Sequence, residues 1–283
     1  MVKSMKDTHS ISAGIVLYNP NIKELKKIVF KLCNNLSKVY LINNNSNNTE
    51  AINKNFNNSN IIIINNKENY GIAKGLNQIL DLSLQNNDEF VLTLDQDSCL
   101  EVTDIEKMLE YSTNDCSLIV PNINDINKPK IKKYNSEFDY IKRAITSGTL
   151  MRVSDIKENG YFDEKMFIDY VDFDYCKRVI SNNKKILRVN NINLNHAVGK
   201  RIKRKFLFFT VYPTNHNAQR IYYYSRNIRY YLKKHKKNLS LKEKLIEKKY
   251  LYWKLVSIIL YEKDKKNKIK AFYKGKKDYK KMK

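Results

Sequence analysis

Two acidic clusters carry the chemistry available to this sequence. Asp95 and Asp97 stand one residue apart in LTLDQDS, directly after an apolar stretch, and carboxylates at that spacing can hold a divalent cation together with a diphosphate. Hard oxygen ligands of this kind select Mg2+ or Mn2+. The D-x-D pattern alone says little, because 16 Asp in 283 positions give about one such pair by chance. Its place at a strand end gives it weight. The second cluster, Asp169, Asp172 and Asp174 in YFDEKMFIDYVDFDYCKR, is interleaved with Phe167, Ile168, Tyr170, Val171 and Phe173. Carboxylates that approach apolar surroundings lose solvation, which raises their proton affinity and suits them to act as bases. The competing reading is an amphipathic helix start whose acidic residues favour the helix dipole.

The elements that must position these groups follow from periodicity. The runs ISAGIVLY (11–18), KVYLIN (38–43), IIII (61–64) and FVLTL (90–94) are strands, and helical patterns follow the first and third, over residues 22–36 and 71–85. A short helix is expected between the second strand and the third. Alternation at this spacing implies a doubly wound, mostly parallel sheet with helices on both faces, in which ligands bind beyond the carboxyl ends of the strands. That rule joins Tyr18-Asn19, Asn43 to Ser46, Asn69-Tyr70-Gly71 and Asp95 to Asp97 into one site. No P-loop, dinucleotide fingerprint or G-x-S-x-G occurs, and the four His lie at 9, 196, 216 and 235, which argues against NTPase, NAD and serine-triad chemistry.

The formal charge of +24 invites a nucleic-acid or membrane reading, but its distribution is uneven. Residues 1–199 carry 25 basic and 24 acidic side chains, and residues 200–283 carry 28 and 5. Helical spacing recurs at Ile221, Tyr224, Ile228 and Tyr231-Leu232, and again at Leu241, Leu245, Tyr252, Leu255-Val256 and Ile259. Such basic amphipathic helices suit an anionic membrane with Trp253 at headgroup level, or else their apolar faces pack on protein, including a homodimer partner. Residues 263–283 are expected to be exposed and partly disordered. The start does not read as a signal peptide, no segment is long enough to span a bilayer, and the four Cys are expected to be buried, reduced thiols of a cytosolic protein.

The chain resembles bacterial rhamnosyltransferases of glycosyltransferase family 2. The resemblance rests on GIVLYNP, LINNNS, NKENYGIAKGLNQ, LTLDQDS, ITSGTLM, GYFDEKMFIDYVDFDYCKR and, less regularly, HAVG and RIYYYSRN, in family order over about residues 11–230. It implies a GT-A (Rossmann-like) catalytic domain over residues 1–215 and a basic helical appendage over 216–283. It further implies inverting transfer of a sugar, L-rhamnose from dTDP-L-rhamnose, onto a hydroxyl of a lipid-linked surface polysaccharide such as O-antigen or capsule. UDP-galactose or UDP-glucose is the alternative donor, and a nucleic-acid-binding protein is the non-enzyme alternative, disfavoured by the neutral first 199 residues. By position in the motifs, Asp97 assisted by Asp95 holds Mg2+ or Mn2+. Asp172 is the base, with Asp169 nearby and Val171 where the family has Glu. Tyr18, Asn43, Asn45, Gly71 and Lys74 attend the nucleotide. His196 is either a metal or diphosphate contact or structural, and Arg220 and Arg226 either contact phosphate or form a basic face with tyrosines turned inward. Ser147-Gly148 shapes the acceptor side. The implied location is cytoplasmic, peripheral on the inner face of the plasma membrane.

Overall fold

β1 (Ile11–Leu17) is buried along almost its whole length, as expected of an apolar run covered on both faces. In the computed structural model, which describes residues 9–125, 134–196, 204–206, 209–211 and 213–282, the chain then turns at Asn19. The side chain of Asn21 accepts from the backbone N–H groups of Lys23 and Glu24 and so starts α1 (Ile22–Cys33). There follow β2 (Lys38–Asn43), α2 (Thr49–Asn55), β3 (Ile61–Asn65), α3 (Gly71–Gln85), β4 (Phe90–Asp95), α4 (Val102–Glu110), β5 (Cys116–Asp125), β6 (Phe138–Tyr140), β7 (Thr149–Arg152) and α5 (Ile156–Asn159). α6 (Val171–Ser181), β8 (Lys185–His196), β9 (Arg204–Phe206), β10 (Phe209–Val211), α7 (Ala218–Lys234), α8 (Leu241–Tyr261) and α9 (Lys265–Asp278) complete the order. The first eight residues, which do not read as a signal peptide, and the HAVG match beyond His196 lie outside the described residues.

The eight-stranded sheet has the order β3-β2-β1-β4-β7-β5-β8-β6. β3, β2, β1 and β4 run parallel, with Val16 opposite Asp95, Leu17 opposite Asn43 and Asn43 opposite Asn65. This register brings the carboxyl ends of all four strands to one edge. β7 pairs antiparallel with both β4 and β5, an extension beyond the four strands legible in the sequence. One hydrophobic core joins Ile15, Leu41 and Leu92 of the sheet to Leu25 and Val29 of α1 and to Ile105 and Met108 of α4. The α/β fold class expected above is thus the one observed.

The chain divides into two compact units, Met1–Asn124 with Ile131–Glu164 and Asp172–His196, and Asp125–Lys130 with Lys165–Val171 and Ala197–Lys283. In the second, α7 buries Ile221, Ile228 and Tyr231. α9 lies against it where Gly275 permits close approach: a Cβ there would stand 2.5 Å from the backbone oxygen of Tyr222. Ser225 Oγ donates to the carbonyl of Phe272 across the same contact, at 2.6 Å. The expectation of a partly disordered end over residues 263–283 is therefore corrected. α9 buries Lys268, Phe272 and Gly275, and its lysine-rich composition hid this because only one face of the helix needs to pack. The Cys expectation also needs amendment: Cys33, Cys116 and Cys176 are buried, but Cys99 is exposed.

Candidate functional site

The sheet edge formed by the parallel register carries an amide network that builds the loops. Asn43 is completely buried. Its Nδ2 donates to Thr49 Oγ1 and Asn65 Oδ1, each at 2.8 Å, and its Oδ1 accepts from the Ser46 backbone N–H at 3.0 Å. Asn44 donates to the carbonyl of Gly71 at 2.9 Å and accepts from Asn66 at 2.8 Å. The polar run after β2 thus shapes the edge from inside, with both amide hydrogens of Asn43 and its side-chain oxygen engaged in that network. Asn45 is the exposed member, held with a φ of 59°, and Asn19, at 49°, accepts from the Asn47 backbone N–H at 2.7 Å. Asn tolerates this left-handed backbone better than most residues. Tyr18 is 52% exposed, and its backbone is tied to the Gln96 side chain, which accepts from Tyr18 N–H at 2.9 Å and donates to Tyr18 O at 3.3 Å.

Asp95 ends β4, Asp97 is exposed just beyond it, and His196 ends β8. One ligand atom from each of these three residues lies within 4.8 Å of the others. His196 Nδ1 is 3.7 Å from Asp95 Oδ2 and 3.4 Å from Ser98 Oγ. Ligand atoms bound to one ion at the roughly 2.1 Å typical of octahedral oxygen coordination stand roughly 3 to 4 Å apart, so this spacing fits a single divalent cation. Two carboxylates and an imidazole form a mainly hard donor set, which suits Mg2+ or Mn2+. Ser147 contributes from the facing loop, its Oγ accepting from the Asp95 backbone N–H at 3.1 Å, and Gly148 donates to the Thr93 carbonyl at 2.8 Å. Gly148 has a φ of 81°, and a Cβ on it would fall 2.8 Å from Leu194 Cδ2. The ITSG segment therefore braces the end of β4.

Asp172 is the second residue of α6, half-buried, with one carboxylate oxygen accepting from the Phe173 backbone N–H at 2.8 Å. It borders an apolar depression of about 210 Å³, measured with its open mouth, lined also by Leu118, Ala144, Met151, Phe162 and Tyr175. Asp174, two residues on, is fully buried and forms an ion pair with Arg178 at 3.1 Å. Arg178 in turn donates to the carbonyls of Asn159 and Tyr161. The two carboxylates thus divide the labour, Asp174 holding the helix and Asp172 facing the depression. The segment leading to them is fixed by Asn77 of α3, which exchanges hydrogen bonds with the backbone of Phe162 and also reaches Glu164 at 2.8 Å. Lys74, one turn earlier, lies 3.2 Å from the same Glu164 oxygen, with both side chains about half exposed. Gly71, at a φ of 85°, opens that helix and donates to Asn69 Oδ1 at 2.9 Å.

Asp169 belongs to the second unit. Its Oδ1 accepts from Arg220 at 3.2 and 3.3 Å, and its Oδ2 is buried without a hydrogen-bond partner. Burial pushes this carboxyl above the usual range, and the Arg220 guanidinium opposes the shift. Arg226 stacks over Tyr223 at 4.8 Å and donates to the carbonyls of Lys165 and Met166, so its guanidinium secures backbone.

Sequence reasoning missed Asn227. This completely buried amide donates to the carbonyls of Met166, Ile168 and Asp169 at 2.6, 2.7 and 3.0 Å. Phe167, Asp169 and Tyr170 in that segment have φ values of 63°, 65° and 68°. Bulky residues in the left-handed region are strained and persist only where the surroundings fix them. The available signal was an amide on the apolar face of a helix. Asn227→Ala is expected to lower stability by about 3 kcal/mol, because buried carbonyls lose their donor and the strained backbone its clamp. Urea denaturation measures this, and a loss below about 1 kcal/mol contradicts the clamp.

Residues 12–188 match the family described as glycosyl transferase family 2. The chain is similar to the dTDP-rhamnosyl transferase RfbF of Shigella flexneri, with 28% identity over 237 residues covering 77% of this chain and 78% of that protein. Among solved structures it is similar to S. aureus TarS 1-349 in complex with UDP-GlcNAc, with a TM-score of 0.60, 15% identity, and coverage of 93% of this chain and 79% of that one. It is also similar to GalNAc-T7 with UDP, GalNAc and Mn2+, with a TM-score of 0.57 and 15% identity over 68% of this chain. This chain spans only 44% of the GalNAc-T7 chain. At such identities the structural likeness is one of fold. The family match runs from β1 into β8 and covers more than half of the sequence, and on that ground the chain belongs to glycosyl transferase family 2, a glycosyltransferase with the GT-A fold.

Proposed function

We propose that this glycosyltransferase moves L-rhamnose from dTDP-L-rhamnose, with inversion and with a divalent cation, onto a hydroxyl of a growing lipid-linked surface glycan. The convergence of Asp95, Asp97 and His196 at the sheet edge carries the reading. The donor sugar and nucleotide rest on the similarity to a dTDP-rhamnosyl transferase, and the use of a cation is supported by the Mn2+ named with GalNAc-T7. A bound Mg2+ or Mn2+ supplies neutralisation of the charge that builds on the departing diphosphate.

The chain's own residues do the rest. Asp95 and Asp97 provide two oxygens, and His196 a nitrogen, to the cation site. Exposed Tyr18 and Asn45 and half-buried Lys74 line the approach to the same edge and suit contacts to base, ribose or phosphate. Asp172 takes the proton of the acceptor hydroxyl as that oxygen bonds to the anomeric carbon, while the bond from that carbon to the diphosphate oxygen breaks and its electrons leave with the nucleotide. We assign the base role to Asp172 over Asp169, whose carboxylate is engaged by Arg220. Residues 1–215 are proposed as the catalytic domain and 216–283 as the part that keeps the enzyme at the cytoplasmic face of the membrane. No helix among the described residues is long and apolar enough to cross a bilayer.

The test is a thermal-shift and nucleotide-release screen of the purified chain with Mn2+ and a panel of nucleotide sugars. Stabilisation by dTDP and release of dTDP from dTDP-L-rhamnose are the expected results. Stabilisation by UDP instead, with turnover of UDP-glucose or UDP-galactose, replaces the donor assignment, and no turnover of any nucleotide sugar overturns the reading.

A further inference from the structure

α8 carries apolar residues on its outward face as well as its inward one. The face it turns into the second unit contains Glu247, fully buried with Tyr170 donating to its carboxylate, and Lys254, which donates to Thr214 Oγ1 at 2.7 Å and Glu262 Oε1 at 2.9 Å. Glu262 also binds buried Lys268 at 3.0 Å, and burial lowers the Lys254 pKa below its ordinary value. Leu251 and Ile258 are buried beside them, and the opposite face is apolar as well. Leu241 is 79% exposed, Leu245 64%, Tyr252 64% and Trp253 40%, and Ile259 and Leu260 continue the row. Leu241, Leu245, Tyr252 and Ile259, spaced by 4, 7 and 7 residues, form one stripe along a helix of 21 residues. A soluble surface rarely leaves so long an apolar strip in water without a partner.

We propose that the outward face of α8 docks on an anionic bilayer surface, lying in the plane of the interface. Charge complementarity selects this occupant. Exposed Lys242, Lys248 and Lys249 interleave with the stripe, while the two acidic residues of the helix are engaged elsewhere, Glu243 in the capping box with Ser240 and Glu247 in the interior. A second copy brought face to face would set these lysines against their own counterparts with no carboxylate between them. Acidic headgroups meet the lysines, and the acyl boundary receives the leucines, with Trp253 and Tyr252 at the polar interface where amphipathic rings settle. The surface narrows the membrane contact expected for residues 216–283 to one element, because α7 turns Ile221, Ile228, Tyr230 and Tyr231 inward. It does not depend on the identity of the sugar.

Trp253 is the one tryptophan of the chain and reports directly on this face. The full chain, without donor, is titrated with phosphatidylcholine vesicles with and without phosphatidylglycerol. The expected result is a blue shift of Trp253 emission and quenching by brominated lipid with the anionic vesicles, with binding about tenfold or more weaker on neutral vesicles and at raised salt. Leu245→Glu combined with Tyr252→Glu is expected to weaken vesicle binding about tenfold or more, while circular dichroism and nucleotide release stay as in the parent protein. Unchanged vesicle binding in that variant overturns the proposal. So does a blue shift that follows protein concentration without lipid and coincides with a sedimenting dimer, or one produced by RNA or DNA and not by vesicles. Because the readout needs no sugar nucleotide, failure of the rhamnose assignment leaves it intact.

Discussion

Asp97→Ala is expected to lower sugar transfer by roughly 10³-fold at saturating donor and Mn2+, a size set by the several kcal/mol that a cation contributes to a charged transition state. The melting temperature should stay nearly unchanged, because Asp97 is exposed and exposed positions away from caps and buried networks seldom matter to stability. Asp95 differs. It ends β4, faces His196 at 3.7 Å and has its backbone N–H bound by Ser147, so its replacement disturbs geometry as well as charge. The experiment measures kcat and the Mn2+ dependence of both variants and of His196→Ala. Loss of either carboxylate ligand raises the Mn2+ concentration needed for half-maximal rate, and loss of the imidazole raises it less. An Asp97→Ala enzyme with parental rate and parental Mn2+ dependence removes the cation from the Asp95, Asp97 and His196 site.

The sequence made the first half of the fold legible because each of its first four strands is a continuous apolar run, bounded by Asn-rich turns and separated by helical spacing. Asp95 and Asp97 could be placed at the ligand edge for the same reason. His196 could be suggested only by resemblance, since nothing local marks it. It meets Ser98, 98 residues earlier, through the pairing of β7, β5 and β8 that no short-range pattern encodes. Asn43 and Arg226 show a different limit. Residue type suggests a group that contacts ligand, and it does not reveal that Asn43 also binds Thr49, Asn65 and the Ser46 backbone N–H, or that Arg226 also binds the Lys165 and Met166 carbonyls. The outward apolar face of α8 shows a third. Periodicity reveals that a helix has an apolar face and does not reveal which face turns inward, because the buried Glu247 and Lys254 are compensated by partners distant in sequence.

The acidic motif yields the sharpest contrast, between residues two positions apart. Asp172→Asn is expected to lower kcat by about 10²- to 10⁴-fold, the range for removal of a positioned general base. The amide oxygen of Asn can still accept from the Phe173 backbone N–H, so helix α6 should keep its start and the protein its melting temperature. Donor affinity should also hold, since the base touches the acceptor and not the nucleotide. Asp174→Asn is expected to do the reverse. Its carboxylate is fully buried against Arg178, whose other donors hold the Asn159 and Tyr161 carbonyls, and neutralising one member leaves a mostly buried guanidinium without its counter-charge. Removal of one partner of a buried pair costs about 3 to 5 kcal/mol, so unfolding should shift by several degrees while turnover per folded molecule changes little. Single-turnover rates and thermal denaturation on the two variants separate the roles. If Asp172→Asn turns over at the parental rate, the base must be sought elsewhere, and Asp169→Asn becomes the next variant to assay, its Oδ2 being a buried carboxylate oxygen without a hydrogen-bond partner.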